Sequence, residues 1–287
     1  MSRNRAASVR SRLKTRADAA GEDFNLVLTR FGLERLLYRL SISPHADHFL
    51  LKGALLFAIW HDAPRRPTRD LDLFGLGAGD VENVIAAFRE VCAVACADGV
   101  RFDPAAISGR EIREDAGYGG VRLSLHAELD GARLHLQVDV GFGDAVTPGA
   151  ERIEYPTMLD DLPVPPLRAY PRHTVVAEKL EAIFVLGIAN SRMKDYFDLW
   201  ILLRAGSLDS ATLGRAIAAT CKRRGTMISV GWPLGLSEGF AADVVKQTQW
   251  QAFLRKNRLD APALVRIVAD LRDALDAPLR IARGEPA

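Results

Sequence analysis

The sequence predicts an α+β protein, with a mixed-sheet α/β head over residues 1–170 and an α-helical tail over residues 171–287. Three observations predict it. Apolar residues alternate at Val121, Leu123 and Leu125, and again at Leu134, Leu136, Val138 and Val140, with Asp130-Gly131 between them. Period-two alternation about an Asp-Gly pair marks a β-hairpin. From Asp144 to Arg172 six prolines interrupt every periodic pattern, so this stretch reads as an extended connector. Beyond it apolar residues recur at helical spacing.

The elements follow in order. Ala6–Ala20 and Phe24–Leu40 read as two helices separated by Gly21-Glu-Asp23, the second carrying Leu26, Val27, Phe31, Leu33, Leu36, Leu37 and Leu40. Phe49-Leu-Leu51 is a short apolar run ending in Lys52-Gly53, with a helix expected from there through Trp60. His61–Thr68 reads as a loop, Leu71–Phe74 as a strand and Val81–Ala97 as a helix. In the tail, helices are expected at 175–188, 192–204, 209–224, 238–254 and 262–277.

Composition narrows the function classes. Of 287 residues 48% are hydrophobic and 26% charged, which suits a large globular core. The longest apolar candidate for a membrane span, Phe49–Trp60, is too short and contains Lys52. No apolar h-region follows the basic N-terminus, so no signal peptide is expected. The three cysteines form no CxxC pair, and a cytoplasmic location is expected. The net charge is +2, but six basic residues and no acidic one lie between Arg3 and Arg16, with a second cluster at Lys222-Arg-Arg224. Such clusters suit a phosphate backbone or an ordinary solvated helix face.

The chemistry centres on Asp70 and Asp72. Two apart on a strand, they present both carboxylates on one face. Adjacent carboxylates repel, and a hard cation such as Mg²⁺ (or Mn²⁺) relieves that repulsion; phosphoryl-transfer enzymes hold metals this way. Structural pairing to Arg65, Arg66 or Arg69 is the plainer alternative. Upstream, Lys52-Gly53-Ala54 joins a strand end to a helix start, where a glycine and free N–H groups suit a phosphate. Downstream, Asp139 falls on the polar face of its strand, as a third carboxylate or as an ordinary solvent-facing one. Among the remaining polar residues, His126 and His135 are expected as cross-strand neighbours, and Trp232 and Trp250 as core residues.

At this point the sequence resembles a family. Hydrophobic-Lys-Gly followed by Arg66-Pro-Thr-Arg-Asp-Leu-Asp-Leu73 looks like the AbiEii/AbiGii-type toxins of the polymerase-β-like nucleotidyltransferase superfamily. Val176-Ala-Glu-Lys-Leu-Glu-Ala182 and Arg192-Met-Lys-Asp-Tyr-Phe-Asp-Leu199 extend the likeness, as do Glu22–Arg30 and Gln249-Trp-Gln-Ala-Phe253. The resemblance implies a polymerase-β-like N-terminal domain with Gly53, Asp70 and Asp72 at its core, Lys179 on the triphosphate, and Asp195 or Asp198 completing the site. The plainer alternative for Lys179 is a salt bridge with Asp195 or Asp198. Metal ligands would be Asp70, Asp72 and Asp139; substrate contacts would come from Lys52, Gly53, Ala54, Arg66, Arg69 and Asp139. The implied partners are an NTP, the 3′ end of tRNA or another RNA acceptor, and a cognate antitoxin of a type IV system. The chain departs from the wider superfamily at Ala54, where serine or glycine is common. Protein nucleotidylation, phosphotransfer and a catalytically silent binding module are the competing readings.

Overall fold

The computed structural model describes residues 3–60, 68–77, 79–113, 119–204 and 208–285. They fold as two compact units, one of residues 1–143 with 151–169, the other of residues 144–150 with 170–287.

The first unit begins with α1 (Arg3–Ala20) and α2 (Phe24–Ser41). Asp23 separates them by capping α2, its carboxylate accepting from the Leu26 N–H at 2.9 Å; an Asp at this position satisfies a backbone donor the helix cannot. Then come β1 (Phe49–Lys52), one turn of 3₁₀ helix (Gly53–Leu56), α3 (Phe57–Trp60), β2 (Asp70–Gly75) and α4 (Val81–Ala93). Four short or edge strands and a long hairpin complete it: β3 (Val100–Phe102), β4 (Ser108–Arg113), β5 (Gly119–Leu129), β6 (Ala132–Phe142), β7 (Glu151–Glu154) and β8 (Pro166–Ala169).

All eight strands join one mixed sheet in the order β3-β5-β6-β2-β1-β8-β7, with β4 also paired to β5. β2 runs parallel to β6 and β1 parallel to β8; the other pairings are antiparallel. One face, carrying Leu71, Leu73, Val121, Leu123, Leu136, Val138 and Val140, is buried. Helices cover it. Gly32 of α2 lets that helix approach β6 closely, since a Cβ there would lie 3.2 Å from methyl carbons of Leu134 and Leu136. Phe49 meets Phe88 of α4 edge-on, centroids 5.5 Å apart. The opposite face is where the polar residues of the same strands project.

The structure of this unit differs from the sequence reading at three of the expected segments. The proline-rich stretch is not only a connector, because β7 and β8 within it add to the sheet beside β1. Buried Glu34 and Arg35 hold that stretch down: Glu34 accepts from the Met158 N–H at 2.7 Å, and Arg35 donates to the Pro163 carbonyl at 3.2 Å. Helix α4 stops at Ala93 rather than Ala97. Asp98, buried and forked by Arg39 at 2.6 and 3.1 Å, pins the following chain in the extended path that leads to β3. The segment after Gly53 is one 3₁₀ turn and the four-residue α3 in place of a regular helix. The expectations for residues 61–67, including the loop there, lie outside the described residues.

The second unit holds α5 (Arg172–Leu186), α6 (Met193–Arg204), α7 (Ser210–Arg224), α8 (Glu238–Ala242), α9 (Val244–Asn257) and α10 (Leu264–Ala282). The single helix expected over 238–254 is broken at Asp243. Its backbone is extended, and its carboxylate caps α9 by accepting from the Lys246 N–H at 3.0 Å. Tyr196 and Phe240 stack with centroids 5.2 Å apart. Trp250 is fully buried, as expected of a core residue, and donates to the Pro262 carbonyl at 2.9 Å. Residues 144–150 are tied in by Thr147 and Thr174, which exchange two hydrogen bonds of 2.9 Å. Among the described residues no helix is long and apolar enough to cross a membrane.

Candidate active site

The candidate site lies on the polar face of the first unit's sheet. Pairing register sets it. Lys52 is opposite Asp72 across β1–β2, Asp72 is level with Asp139 across β2–β6, and Asp139 is opposite Arg122 across β6–β5. Neighbouring strands are about 4.8 Å apart, and residues in register share a face. One row therefore reads Arg122, Asp139, Asp72, Lys52, two cations bracketing two carboxylates. Asp70 sits in the adjacent row, level with Gln137.

Asp72 is half-buried and Asp70 exposed at the strand's start. Beneath Asp72 lies Gly53, whose φ of +73° belongs to the left-handed region. A Cβ on Gly53 would fall 2.0 Å from Asp72 Oδ2 and 2.7 Å from Asp72 Cβ. Glycine is thus required twice, by conformation and by the approach of the carboxylate. This is the close approach expected of Gly53, but the group that uses it here is Asp72. Ala54 follows in the 3₁₀ turn, and with so short a helical segment the dipole expected at its start is small. Lys52 is buried. Arg69 is exposed just ahead of β2, and Arg66 lies outside the described residues.

Arg122 is the member of this row that pattern reading missed. Its Nε and Nη2 donate to the two oxygens of Asp139 at 2.8 and 2.7 Å, and Gln137 adds a contact of 3.3 Å to Oδ2. These bonds, with the charges of Asp70 and Asp72 beyond them, hold Arg122 above its already high pKa. The signal was present: a two-residue turn at Asp130-Gly131 fixes the hairpin register and so places 122 opposite 139. The same register brings His126 and His135 together, ring centroids 4.7 Å apart.

The donor set tests the expected metal. Asp70 and Asp72 fit a hard divalent cation, which is commonly held by one or two carboxylates and completed by substrate phosphates and water. Asp139 does not extend them to a set of three in this arrangement, because both of its oxygens are engaged by Arg122. Among the described residues no group of three or more His, Cys, Asp or Glu is placed to hold a metal.

In the second unit Lys179 of α5 meets two carboxylates of α6, Asp195 Oδ1 and Asp198 Oδ2, each at 2.8 Å. Arg192 Nε lies 2.9 Å from Asp195 Oδ2. Both aspartates are buried, three apart on one helix face as expected. Burial alone would raise the Asp195 pKa; Lys179 and Arg192 outweigh it and hold the carboxyl below the usual range.

The basic clusters are more engaged than their charge suggested. Arg224 does not belong to an open phosphate-binding patch: its side chain is buried against Asp144 and Glu181, each at 2.9 Å, with Glu178 at 3.5 Å. On α1, Arg12 and Arg5 both pair with Asp161, at 2.7 and 3.3 Å.

With this geometry in hand, comparison decides the family. The profile of the nucleotidyl transferase AbiEii toxins of type IV toxin–antitoxin systems matches residues 35–277. The chain belongs to that family. As an AbiEii-family nucleotidyltransferase toxin it has an NTP as its implied substrate and an antitoxin as its implied partner. No curated protein matches the sequence. Among solved structures, JHP933 from Helicobacter pylori is similar with a TM-score of 0.51 at 13% identity, over 90% of this chain and 94% of that one. A second H. pylori protein, described as a candidate nucleotidyltransferase, gives 0.49 at 14% identity over 90% and 96%. The first of these likenesses concerns the fold alone. The AbiEii match spans both units, and its span contains β2 with Asp70 and Asp72, β6 with Asp139, and helices α5 and α6 with Lys179, Asp195 and Asp198.

Proposed function

We propose that this AbiEii-family protein is a Mg²⁺-dependent (or Mn²⁺-dependent) toxin that transfers a nucleotide from an NTP to an acceptor hydroxyl, the acceptor being the 3′ end of tRNA. The observation that carries the proposal is the placing of Asp70 and Asp72 on one face of β2, with Asp72 seated on Gly53. In the reaction the acceptor oxygen attacks the α-phosphorus, the α–β phosphoanhydride bond breaks, and pyrophosphate leaves. Asp70 and Asp72 would hold the cation, which supplies charge neutralisation at the phosphates. Lys52, at the end of the same row, adds positive charge beside Asp72. Asp139 is assigned to orient or deprotonate the nucleophile, a role that requires it to leave Arg122.

The assignment of Lys179 to the triphosphate, and of Asp195 or Asp198 to the site, rests on the family resemblance. Within its own unit Lys179 also carries a structural duty as the cation for both aspartates. Lys179→Ala separates the two roles. Weakened NTP binding in a protein that still melts cooperatively supports phosphate contact; unchanged NTP affinity with a lowered melting temperature leaves only the structural role.

The main test uses labelled NTPs with purified tRNA and total protein, with Asp70→Asn and Asp72→Asn as controls. Label in RNA that both substitutions reduce on the order of a hundredfold or more supports the proposal. Label in protein alone sinks the tRNA acceptor in favour of protein modification. Growth arrest that persists undiminished in Asp70→Asn sinks catalysis itself, in favour of a binding module.

A further inference from the structure

The row Arg122, Asp139, Asp72, Lys52 points to a device within the proposed site. A third carboxylate stands level with Asp72, yet its two oxygens are both taken by one guanidinium at 2.8 and 2.7 Å. Planar, bidentate pairing of this kind is the strongest geometry open to an Arg–carboxylate pair. The same fork geometry also matches a phosphate. The Arg122 side chain is 32% exposed and that of Asp139 17%, so the guanidinium is the more accessible of the two.

The geometry points to Arg122 as a positioning residue that holds Asp139 in reserve and gives it up when a phosphate arrives. In the free protein the site offers two carboxylates to a cation. When a nucleotide phosphate takes the guanidinium, Asp139 becomes the third, beside Asp72 in the same row. Substrate binding and completion of the ligand set are thereby coupled: Asp139 and the phosphate compete for Arg122, and the phosphate's gain frees the carboxylate for the cation. Within the row the two carboxylates, Asp139 and Asp72, stand level with two cations, Arg122 and Lys52; a guanidinium that turns to an incoming phosphate leaves the row more attractive to a divalent ion.

This inference rests on the proposed metal-dependent reading of Asp70 and Asp72, and its test keeps the two apart. Mn²⁺ binding to the full-length protein is measured by electron paramagnetic resonance, with and without a nonhydrolysable NTP, and melting curves establish folding of each variant. Arg122→Gln should bind Mn²⁺ about tenfold more tightly than wild type when no nucleotide is present, the scale seen when a partner of a metal ligand is changed. Arg122→Lys, which keeps the charge but cannot fork, should shift in the same direction. In an Asp139→Asn background, Arg122→Gln should have no effect on Mn²⁺ affinity, because Arg122 acts through Asp139. An effect of Arg122→Gln that survives intact in the Asp139→Asn background, or an Arg122→Lys protein that behaves as wild type, would mean simple through-space charge and overturn the inference. Equal Mn²⁺ affinity in wild type and Arg122→Gln overturns it as well. Should wild type and Asp70→Asn bind Mn²⁺ equally with nucleotide present, the metal-dependent reading itself fails.

Discussion

Gly53 is under two constraints that reinforce each other. Its positive φ disfavours any other residue by about 1–2 kcal/mol, and the space for a Cβ is already filled by Asp72. Rotation of the Asp72 side chain cannot relieve the clash, because its Cβ, fixed to the strand, is itself only 2.7 Å away. Gly53→Ala must therefore shift Asp72, or β2 with it. The expected outcome is a loss of nucleotidyl transfer on the order of a hundredfold, the effect of misplacing a reacting group by about 1 Å, alongside a stability loss of about 2–5 kcal/mol from conformation and crowding together. Activity that falls no further than the folded fraction, measured in parallel by thermal melting, would remove Gly53 from the site. Arg122 shows the limit of pattern reading on single residues. As a polar position in an alternating strand it looks like any solvent-facing arginine. Only the hairpin register, which aligns 122 with 139, turns it into a partner of the site.

Helix α2 does more than cover the sheet. Glu34 is buried, and burial, only partly offset by Arg35, raises its pKa to about 7 from an ordinary 4.5. The folded protein thus binds a proton more tightly than the unfolded chain. Stability from this group is full below about pH 4.5 and declines as pH rises through about 7, by a few kcal/mol at most. Urea unfolding between pH 5 and 8 should show that decline in wild type and a flatter profile in Glu34→Gln; parallel profiles would show that Glu34 is ionised throughout. The segment that α2 anchors also explains what the sequence left illegible. The hairpin β5–β6 and the helices with long apolar periodicity were readable because burial on one face imposes a repeat. β3, β7 and β8 have three or four residues each, too few to show a period, and prolines flank or begin the last. Their pairing is set by the sheet they join and by distant anchors such as Glu34, Arg35 and Arg39. The break at Asp243 was hidden for a similar reason: apolar spacing continues across it, and only the cap divides α8 from α9. The placing of Asp70 and Asp72 on one face followed from their spacing, whereas their reading as a site came from Gly53, Asp139 and the family resemblance, and the row around them needed the register of four strands.

Within the second unit Arg224 joins α7 to Asp144 and to Glu181 of α5. It is buried with Asp144 and Glu181, which are nearly inaccessible themselves. Removing the cation leaves carboxylates desolvated and uncompensated, which costs about 3–5 kcal/mol. Arg224→Met is expected to lower the urea midpoint accordingly, and Glu181→Met added to it should recover part of the loss. If Arg224→Met instead left stability intact and weakened retention on RNA, the residue would return to the phosphate-binding role its sequence cluster suggested.

The bond between Arg224 and Asp144 spans 80 residues of chain, and between them lie β7 and β8, which belong to the other unit. On a ribosome adding roughly 5–20 residues per second, Asp144 is added to the chain roughly 4–16 s before Arg224. In that interval β8 can already be laid against β1, closing the sheet that carries Asp70 and Asp72. Synthesis therefore delivers the whole sheet that carries Asp70 and Asp72 before α7, and residues 144–150, held first by Thr174, gain their second anchor only when Arg224 arrives.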